Sequence, residues 1–192
     1  MGRFMNHKKW MAVIALAVTA LILTHLPVSE ADAAASASDF QTQGSTLVKY
    51  RGTEERVTIP DTVEVVGESA FENNQKVQFV VIPKSVKRLD AYVFWGCNNL
   101  EEVVLGKGLT AVDEYSFAGC TGLKQITIPE NIQSIDAQAF AGCVNLTDIY
   151  IPATVTGIAE DAFLNCDNVT IHADEGSVAA QFSQKPAAPK SR

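Results

Sequence analysis

The chain has 192 residues, which is enough for one domain, and 47% of them are hydrophobic, as is usual for a protein with a folded core. Its formal net charge is −7, and its cationic residues form no basic stripe. Such a charge balance argues against nucleic acid as a partner and against binding to anionic membrane surfaces.

Residues 1–33 have the pattern of a secretory signal peptide. Lys8 and Lys9 belong to a basic start, residues 10–23 form an apolar run, and residues 31–33 offer a cleavage site of the small-x-small type. The apolar run of about 14 residues is shorter than the roughly 20 that a membrane-spanning helix needs, so we expect cleavage rather than a retained anchor. The remaining chain is then expected to be secreted, extracellular or associated with the cell surface, without stable membrane insertion.

Two short segments precede the main part of the chain. Residues 34–45 (AASASDFQTQGS) are small and polar, and we expect them to form a flexible leader. Residues 46–52 (TLVKYRG) alternate apolar and polar side chains and end in glycine, a pattern that indicates a strand before a turn. This strand is predicted to cover the open end of the unit that follows, because the core of a repeat protein must be shielded at its ends.

From residue 57 onward, one pattern recurs every 23 residues without insertion. Phenylalanine recurs at positions 71, 94, 117, 140 and 163, and cysteine recurs at positions 97, 120, 143 and 166. The five repeats, called coils 1 to 5 below, are residues 57–79, 80–102, 103–125, 126–148 and 149–171. A fixed period of this length is typical of a solenoid, in which each repeat buries its apolar face by stacking on its neighbours.

Each coil opens with a tripeptide rich in β-branched residues, such as residues 126–128. This composition and alternation indicate a strand whose first and third side chains are buried. Stacked coils would place these strands in a parallel sheet at a spacing of about 4.8 Å. A proline such as Pro129 then ends the strand, because proline lacks the N–H that a ladder needs. On the opposite face we expect short helical turns that start at an aspartate N-cap. These N-cap positions are Asp90, Asp113 and Asp136.

The C-terminal residues depart from the repeat. Residues 176–184 (GSVAAQFSQ) begin with a helix N-cap signal and carry Val178, Ala179 and Phe182 at helical spacing. The domain, residues 46–184, is therefore predicted to end in a helical cap over 172–184. Residues 185–192 contain two prolines and three cations, and we expect them to form a disordered tail.

The repeated residues resemble the BspA-type bacterial leucine-rich repeats, in which one coil has the pattern xITIPxxVxxIxxxAFxxCxxL. The resemblance covers residues 57–171 and both caps, and it is specific because six spaced positions recur in five copies. It implies a leucine-rich-repeat solenoid and an extracellular or surface-exposed protein, in a family associated with binding host or matrix proteins. It implies no individual binding residues, since the family pattern is structural.

Few residues of the predicted mature chain are suited to catalysis. Its one histidine, His172, lies beyond the last coil. The cysteine column is expected to hold buried free thiols; disulfides between neighbouring coils, with Cα atoms about 5 Å apart, are the alternative. The aspartate column is expected to be held by N-cap hydrogen bonds, which contribute about 1 kcal/mol each, rather than by a metal ion. We therefore expect no enzymatic activity, no cofactor and no bound metal.

Two exposed groups of residues are candidates for partner binding. The sheet-face group lies on the outward side of the strands and consists of Phe79, Val81, Val104 and Tyr150. The turn cluster consists of Tyr92 and Trp95 in one turn and Tyr115 in the next coil. Exposed Trp and Tyr are the usual composition of contact hot spots.

These groups favour a non-catalytic binding module that recognises an extracellular protein or glycan through its repeat surface. The alternative is a structural or assembly component of the cell envelope, and the sequence does not decide the oligomeric state.

Overall fold

A computed structural model describes residues 35–184, which form a solenoid of about six turns. The predicted signal peptide at 1–33 and the predicted tail at 185–192 lie outside the described residues. Within the described part of the chain, no helix is long and apolar enough to cross a membrane.

The N-terminal end is closed by a hairpin of β1 (Phe40–Gln43) and β2 (Thr46–Tyr50), preceded by a short 3-10 turn at Ala37–Asp39. Phe40 is 8% exposed, and its ring lies 5.0 Å from that of Tyr50. The prediction of a flexible leader at 34–45 is therefore wrong from the 3-10 turn onward. Burial of the Phe40 ring, in a stretch otherwise small and polar, supplies the free energy that orders this segment. Strand β2 covers the first coil, as predicted.

Thirteen strands, numbered in chain order, make up the sheets within residues 35–184. The strands of the first row lie where each coil meets the next coil or a cap, and they are β3 (Arg56–Thr58), β5 (Phe79–Val81), β7 (Glu102–Val104), β9 (Gln125–Thr127), β11 (Asp148–Ile151) and β13 (Thr170–Ala173). The opposite side of each coil adds a second row, with β2 followed by β4 (Val65–Val66), β6 (Arg88–Leu89), β8 (Ala111–Val112), β10 (Ser134–Ile135) and β12 (Gly157–Ile158).

Neighbouring strands within each row are parallel, and only the β1–β2 pair is antiparallel among the described residues. The hydrogen-bonded groups are β3-β5-β7, β9-β11-β13, β1-β2-β4-β6 and β8-β10-β12. Val57 pairs with Val80 and Val80 with Val103, one repeat apart. Ile149 pairs with Ile171, so the last step is one residue shorter than the repeat. The parallel solenoid predicted from the 23-residue period is confirmed, and β2 adds a partial turn to the five coils.

A column of aromatic rings, most of them stacked, runs through the aliphatic core along the solenoid. Phe117 is fully buried, and its ring centroid lies 5.4 Å from that of Phe94 and 5.5 Å from that of Phe140. The column begins at Tyr50 on the N-terminal hairpin and ends at Phe182 of the capping helix. Because offset-stacked rings add to the free energy of burial, this column joins the coils and both caps.

The segments that follow the second-row strands in each coil are successive β-turns, where short helical turns were predicted. In coil 2, the Trp95 N–H donates to the Tyr92 carbonyl within the turn, while the Tyr92 N–H donates to Glu114 in the next coil. Tyr92 has a φ of 61°, in the left-handed region, and a residue in that conformation interrupts a right-handed helix. The expected N-cap role of Asp90, Asp113 and Asp136 therefore has no helix to act on.

The cysteine column is buried and free, as predicted. The Cys97 thiol donates to the Phe71 carbonyl of the preceding coil at 3.1 Å, and Cys120 and Cys143 make the same contact one and two coils further on. Burial raises the pKa of Cys97 to about 12. These thiols therefore stay protonated and unreactive while the coils remain packed.

The C-terminal end is closed by helix α1 (Val178–Ser183), as predicted. Ser177 is its N-cap, and the Ser177 hydroxyl accepts a hydrogen bond from the Ala180 N–H at 3.1 Å. The Phe182 ring lies 6.0 Å from that of Phe163. The helix thus covers the last ring of the core column.

Candidate binding surface

The sheet-face group is not a continuous exposed surface. Tyr150 is 4% exposed, and its hydroxyl donates to Asp174 Oδ2 at 3.0 Å. Burial, followed by this hydrogen bond, raises the pKa of the Tyr150 phenol. Asp174 belongs to the segment that joins β13 to α1, so the C-terminal cap covers a position that the strand pattern placed outside. The prediction that Tyr150 is available to a partner is wrong for this reason.

The other three residues of the sheet-face group are half-buried. The Arg56 guanidinium lies 4.5 Å from the centre of the Phe79 ring, in a cation–π contact within the chain. Val81 and Val104 are directly opposite each other in the β5–β7 ladder. The aromatic member of this group thus already has a cationic neighbour from the same protein.

The turn cluster contains a stacked pair that the sequence predicted. The rings of Tyr92 and Tyr115 are 4.7 Å apart with an interplanar angle of 10°. Trp95 is 40% exposed, and among the described residues its indole makes no ring contact with either tyrosine. The structure therefore joins Tyr92 to Tyr115 and leaves Trp95 as a separate exposed aromatic in the same turn.

The backbone at both tyrosines is in the left-handed region, with φ of 61° at Tyr92 and 54° at Tyr115. The equivalent residues Ser69 and Gln138 have φ of 57° and 52°, so the turn itself imposes this conformation. A bulky residue at positive φ is uncommon, and such strain recurs at functional sites. The fold explains the conformation but not the choice of tyrosine.

Two carboxylates, those of Glu68 and Glu114, lie close enough to Tyr92 to affect its phenol. The pKa of the Tyr92 phenol is raised by burial first, then by Tyr115, Glu114 and Glu68. Residues 125–184 contain eight Asp and Glu and no Lys or Arg. The C-terminal coils therefore carry a net negative charge, which favours an approaching cation.

An open groove of 690 Å³ lies beside the tyrosine pair and crosses coils 2 to 5. Its lining includes Ala91 and Glu114, which directly precede the two tyrosines, and it ends at Gly157, Ile158 and Ala159. This groove was not among the binding surfaces predicted from the sequence. Its signal was the small residue that follows the aspartate position in coils 2 and 4 (Ala91 and Ala137), which leaves room above the backbone.

The aspartate column of coils 2 to 4 lines the groove. Burial first, then the charges of Asp136 and Asp90, raise the pKa of Asp113 to about 6, and the Arg88 charge opposes them. Arg88 Nε lies 2.6 Å from Asp90 Oδ1, so the Arg88 guanidinium forms an ion pair with the first aspartate of the column. Within residues 35–184, no three Asp, Glu, His or Cys side chains are grouped so that they could hold a metal ion.

His172 lies on the outward side of β13, and its Nε2 is 2.8 Å from Asp148 Oδ1. A nucleophilic site would need a Ser or Cys held against this ring. The cysteine thiols instead donate to phenylalanine carbonyls inside the core. The geometry at His172 is that of a cross-strand hydrogen bond on the sheet surface.

In a comparison with protein families, residues 49–170 match the BspA type leucine rich repeat region in six copies. No curated protein sequence matches the chain.

Several solved bacterial structures share the fold. The leucine rich cell surface protein of Faecalibacterium prausnitzii is 32% identical, with a TM-score of 0.68, over 73% of this chain and 38% of that protein. The Treponema pallidum leucine rich repeat protein is 26% identical, with a TM-score of 0.69, over 72% of this chain and 70% of that protein. A leucine-rich repeat protein of Bacteroides ovatus is 29% identical, with a TM-score of 0.60, over 68% and 36% of the two chains.

Proposed function

This chain belongs to the BspA-type leucine-rich repeat family, and on that premise we propose that it is a secreted or surface-exposed, non-catalytic module that binds a protein or glycan ligand. The similarity to a cell surface protein of F. prausnitzii supports the location, as does the signal-peptide pattern of residues 1–33. The repeat surface then supplies the contacts, as the extended faces of solenoids do.

The stacked pair Tyr92–Tyr115 is the observation that carries the proposal. Both side chains extend from residues held at positive φ, where asparagine or glycine would be less strained. Packing does not require them, because coils 1 and 4 use Ser69 and Gln138 in the same conformation. An aromatic pair at a strained surface position, with an exposed Trp95 in the same turn, has the composition of a contact hot spot.

The chemistry of the remaining reactive groups supports the non-catalytic part of the proposal. His172 is engaged by Asp148, and the buried thiols are engaged by backbone carbonyls. A catalytic arrangement would present a nucleophile and its base together to a substrate.

One observation favours the assembly alternative as a second candidate. The outer edge of β3 pairs with no strand of the described residues, since the order in that sheet is β3-β5-β7. An unpaired parallel edge is a place where a second chain can add. The edge is only three residues long and includes Arg56, which limits such pairing. Analytical ultracentrifugation over a hundredfold range of concentration tests this candidate, and a monomer throughout would eliminate it.

The binding proposal is tested with a double variant that follows the protein's own coils. Tyr92→Ser and Tyr115→Gln introduce the residues that the fold already accepts at this position in coils 1 and 4. Val104→Thr is the matched control, because Thr127 occupies that position in the next coil. Binding to purified matrix proteins and to a glycan array is measured for the protein and each variant.

We expect the double variant to lose at least fivefold in affinity, about 1 kcal/mol, while the control stays within twofold. Binding that is unaffected by the double variant, but lost with Val104→Thr, would move the site to the sheet face. Absence of binding to both ligand classes would refute the proposed function.

A further inference from the structure

We propose that the groove beside the tyrosine pair binds an extended basic segment of a partner protein. The inference rests on the proposed binding function and deepens it, because it names the chemistry of the ligand.

The shape of the groove fits a linear chain. It crosses four coils, from Ala91 in coil 2 to Ala159 in coil 5, and is open along its length. Coils are about 4.8 Å apart, so three steps span about 14 Å. An extended segment with polyproline II geometry covers this length in four to five residues, at about 3.1 Å each. Small side chains, including Ala91, Ala137 and Gly157, allow a backbone to approach the floor closely.

The apolar part of the lining fits the aliphatic portions of such a segment. Ala91, Ala137, Ile158 and Ala159 line the groove and are all partly exposed. Lysine and arginine carry long apolar stems that pack on surfaces of this kind while their charged ends reach polar groups. The groove therefore suits basic side chains better than short acidic ones.

The charge of the lining identifies the occupant. Four carboxylates line the groove, and no Lys or Arg does. The four carboxylates are those of Asp90, Asp113, Glu114 and Asp136. Arg88, outside the lining, is paired with Asp90 at 2.6 Å. The chain thus leaves the central and C-terminal carboxylates of the groove without an adjacent Lys or Arg in the lining, and a ligand cation would supply one.

The spacing of the acids matches a regular basic peptide. Acids two coils apart are separated by about 9.6 Å. A basic side chain at every third residue of a polyproline II segment recurs about every 9.3 Å. The stacked Tyr92 and Tyr115, next to Ala91 and Glu114 in the chain, add aromatic faces on which a guanidinium can lie.

The test uses a fluorescein-labelled nonapeptide, (Arg-Pro-Ala)3, and its neutral counterpart, (Gln-Pro-Ala)3. Fluorescence anisotropy measures their binding to the protein and to two charge-matched variants. The groove variant is Asp113→Asn with Asp136→Asn. The control variant is Asp61→Asn with Glu175→Gln, two exposed acids that do not line the groove. Both variants remove two negative charges, so a general attraction to an acidic protein affects them equally.

We expect the arginine peptide to bind at least tenfold more tightly than the glutamine peptide, and the groove variant to lose at least tenfold in affinity. The control variant should stay within threefold. Equal losses in both variants would show attraction to net charge alone and overturn the proposal. Equal affinities for the arginine peptide and the glutamine peptide would overturn the proposal as well. Circular dichroism of each variant checks that the fold is retained.

A truncated variant lacks residues 185–192, which contain three cations. A tenfold gain in peptide affinity on their removal would show that residues 185–192 themselves occupy the groove, and it would overturn the proposal of an external partner. Peptide affinity within twofold of the full chain supports the proposal. If the peptide fails to bind while the tyrosine-dependent binding to matrix protein or glycan persists, only this inference falls. If no such ligand binds, the proposed function falls whatever the peptide does.

Discussion

Replacing Phe117 with alanine should destabilise the protein far more than replacing its neighbour Tyr115. Phe117 is fully buried, and its ring lies between those of Phe94 and Phe140 at 5.4 and 5.5 Å. Truncation of a buried Phe typically costs about 3–5 kcal/mol, from lost burial and from the cavity left behind. For a chain of this size, each kcal/mol lowers Tm by roughly 2–4 °C, so Phe117→Ala should lower it by about 6–20 °C.

The matched substitution is Tyr115→Gln, since Gln138 occupies that position one coil later with φ of 52°. It removes one stacked contact at 4.7 Å, and such pairs contribute roughly 0.5–1.5 kcal/mol. The left-handed backbone strain changes little, because neither residue prefers that region. The predicted gap between the two variants is therefore at least about 1.5 kcal/mol.

Urea unfolding followed by far-ultraviolet circular dichroism gives the midpoint and the slope for each variant. In a solenoid each coil contacts only its neighbours, so a defect in the central coil should also lower the slope by separating the two halves. Equal midpoint shifts for Phe117→Ala and Tyr115→Gln would contradict the assignment of the inward and outward faces.

Three further predictions follow from single contacts. Asp113→Asn should stabilise the protein by about 1 kcal/mol at pH 7.5, allowing for the partial exposure of the side chain, and should leave its stability unchanged at pH 4, as measured by urea midpoints. The reason is that the pKa of Asp113 is raised to about 6 in the folded protein, so the wild-type protein loses stability as pH rises through that value and the carboxyl ionises. Gly108→Ala should cost about 1–3 kcal/mol, because a Cβ there meets backbone of the preceding coil, whereas Gly157→Ala should be neutral within about 0.5 kcal/mol in the same assay. A thiol reagent should count four reactive cysteines after unfolding without reductant and few before; none after unfolding would mean disulfides.

The repeated positions were predictable from the sequence alone. A 23-residue period places the same residue type at the same point of every coil, so each inward position is supported by five copies. The aromatic column, the buried thiols and the parallel pairing follow, because stacked identical units must bring equivalent residues into contact. The Tyr92–Tyr115 pair was predictable for the same reason.

Features that depend on the ends of the solenoid were decided only by the tertiary structure. Tyr150 has the outward position of its strand, but the last step of the register is one residue short, and the chain beyond β13 brings Asp174 to its hydroxyl. Phe40 lies in a stretch of small polar residues, and its burial depends on a contact with Tyr50 in the hairpin. Neither contact repeats along the chain, so no periodicity could reveal it.

The turn geometry and the groove also required the three-dimensional structure. Alternate N–H groups of each turn donate to carbonyls of the next coil, as Tyr92 does to Glu114, and these bonds fix a left-handed residue where local propensity favours a helical turn. The groove is lined by small residues from coils 2, 4 and 5, which lie in line once those turns are stacked. Sequence determined which residues face the core, because burial is repeated in every coil; hydrogen bonds between coils decided the path of the backbone between them, and with it the surface that a partner meets.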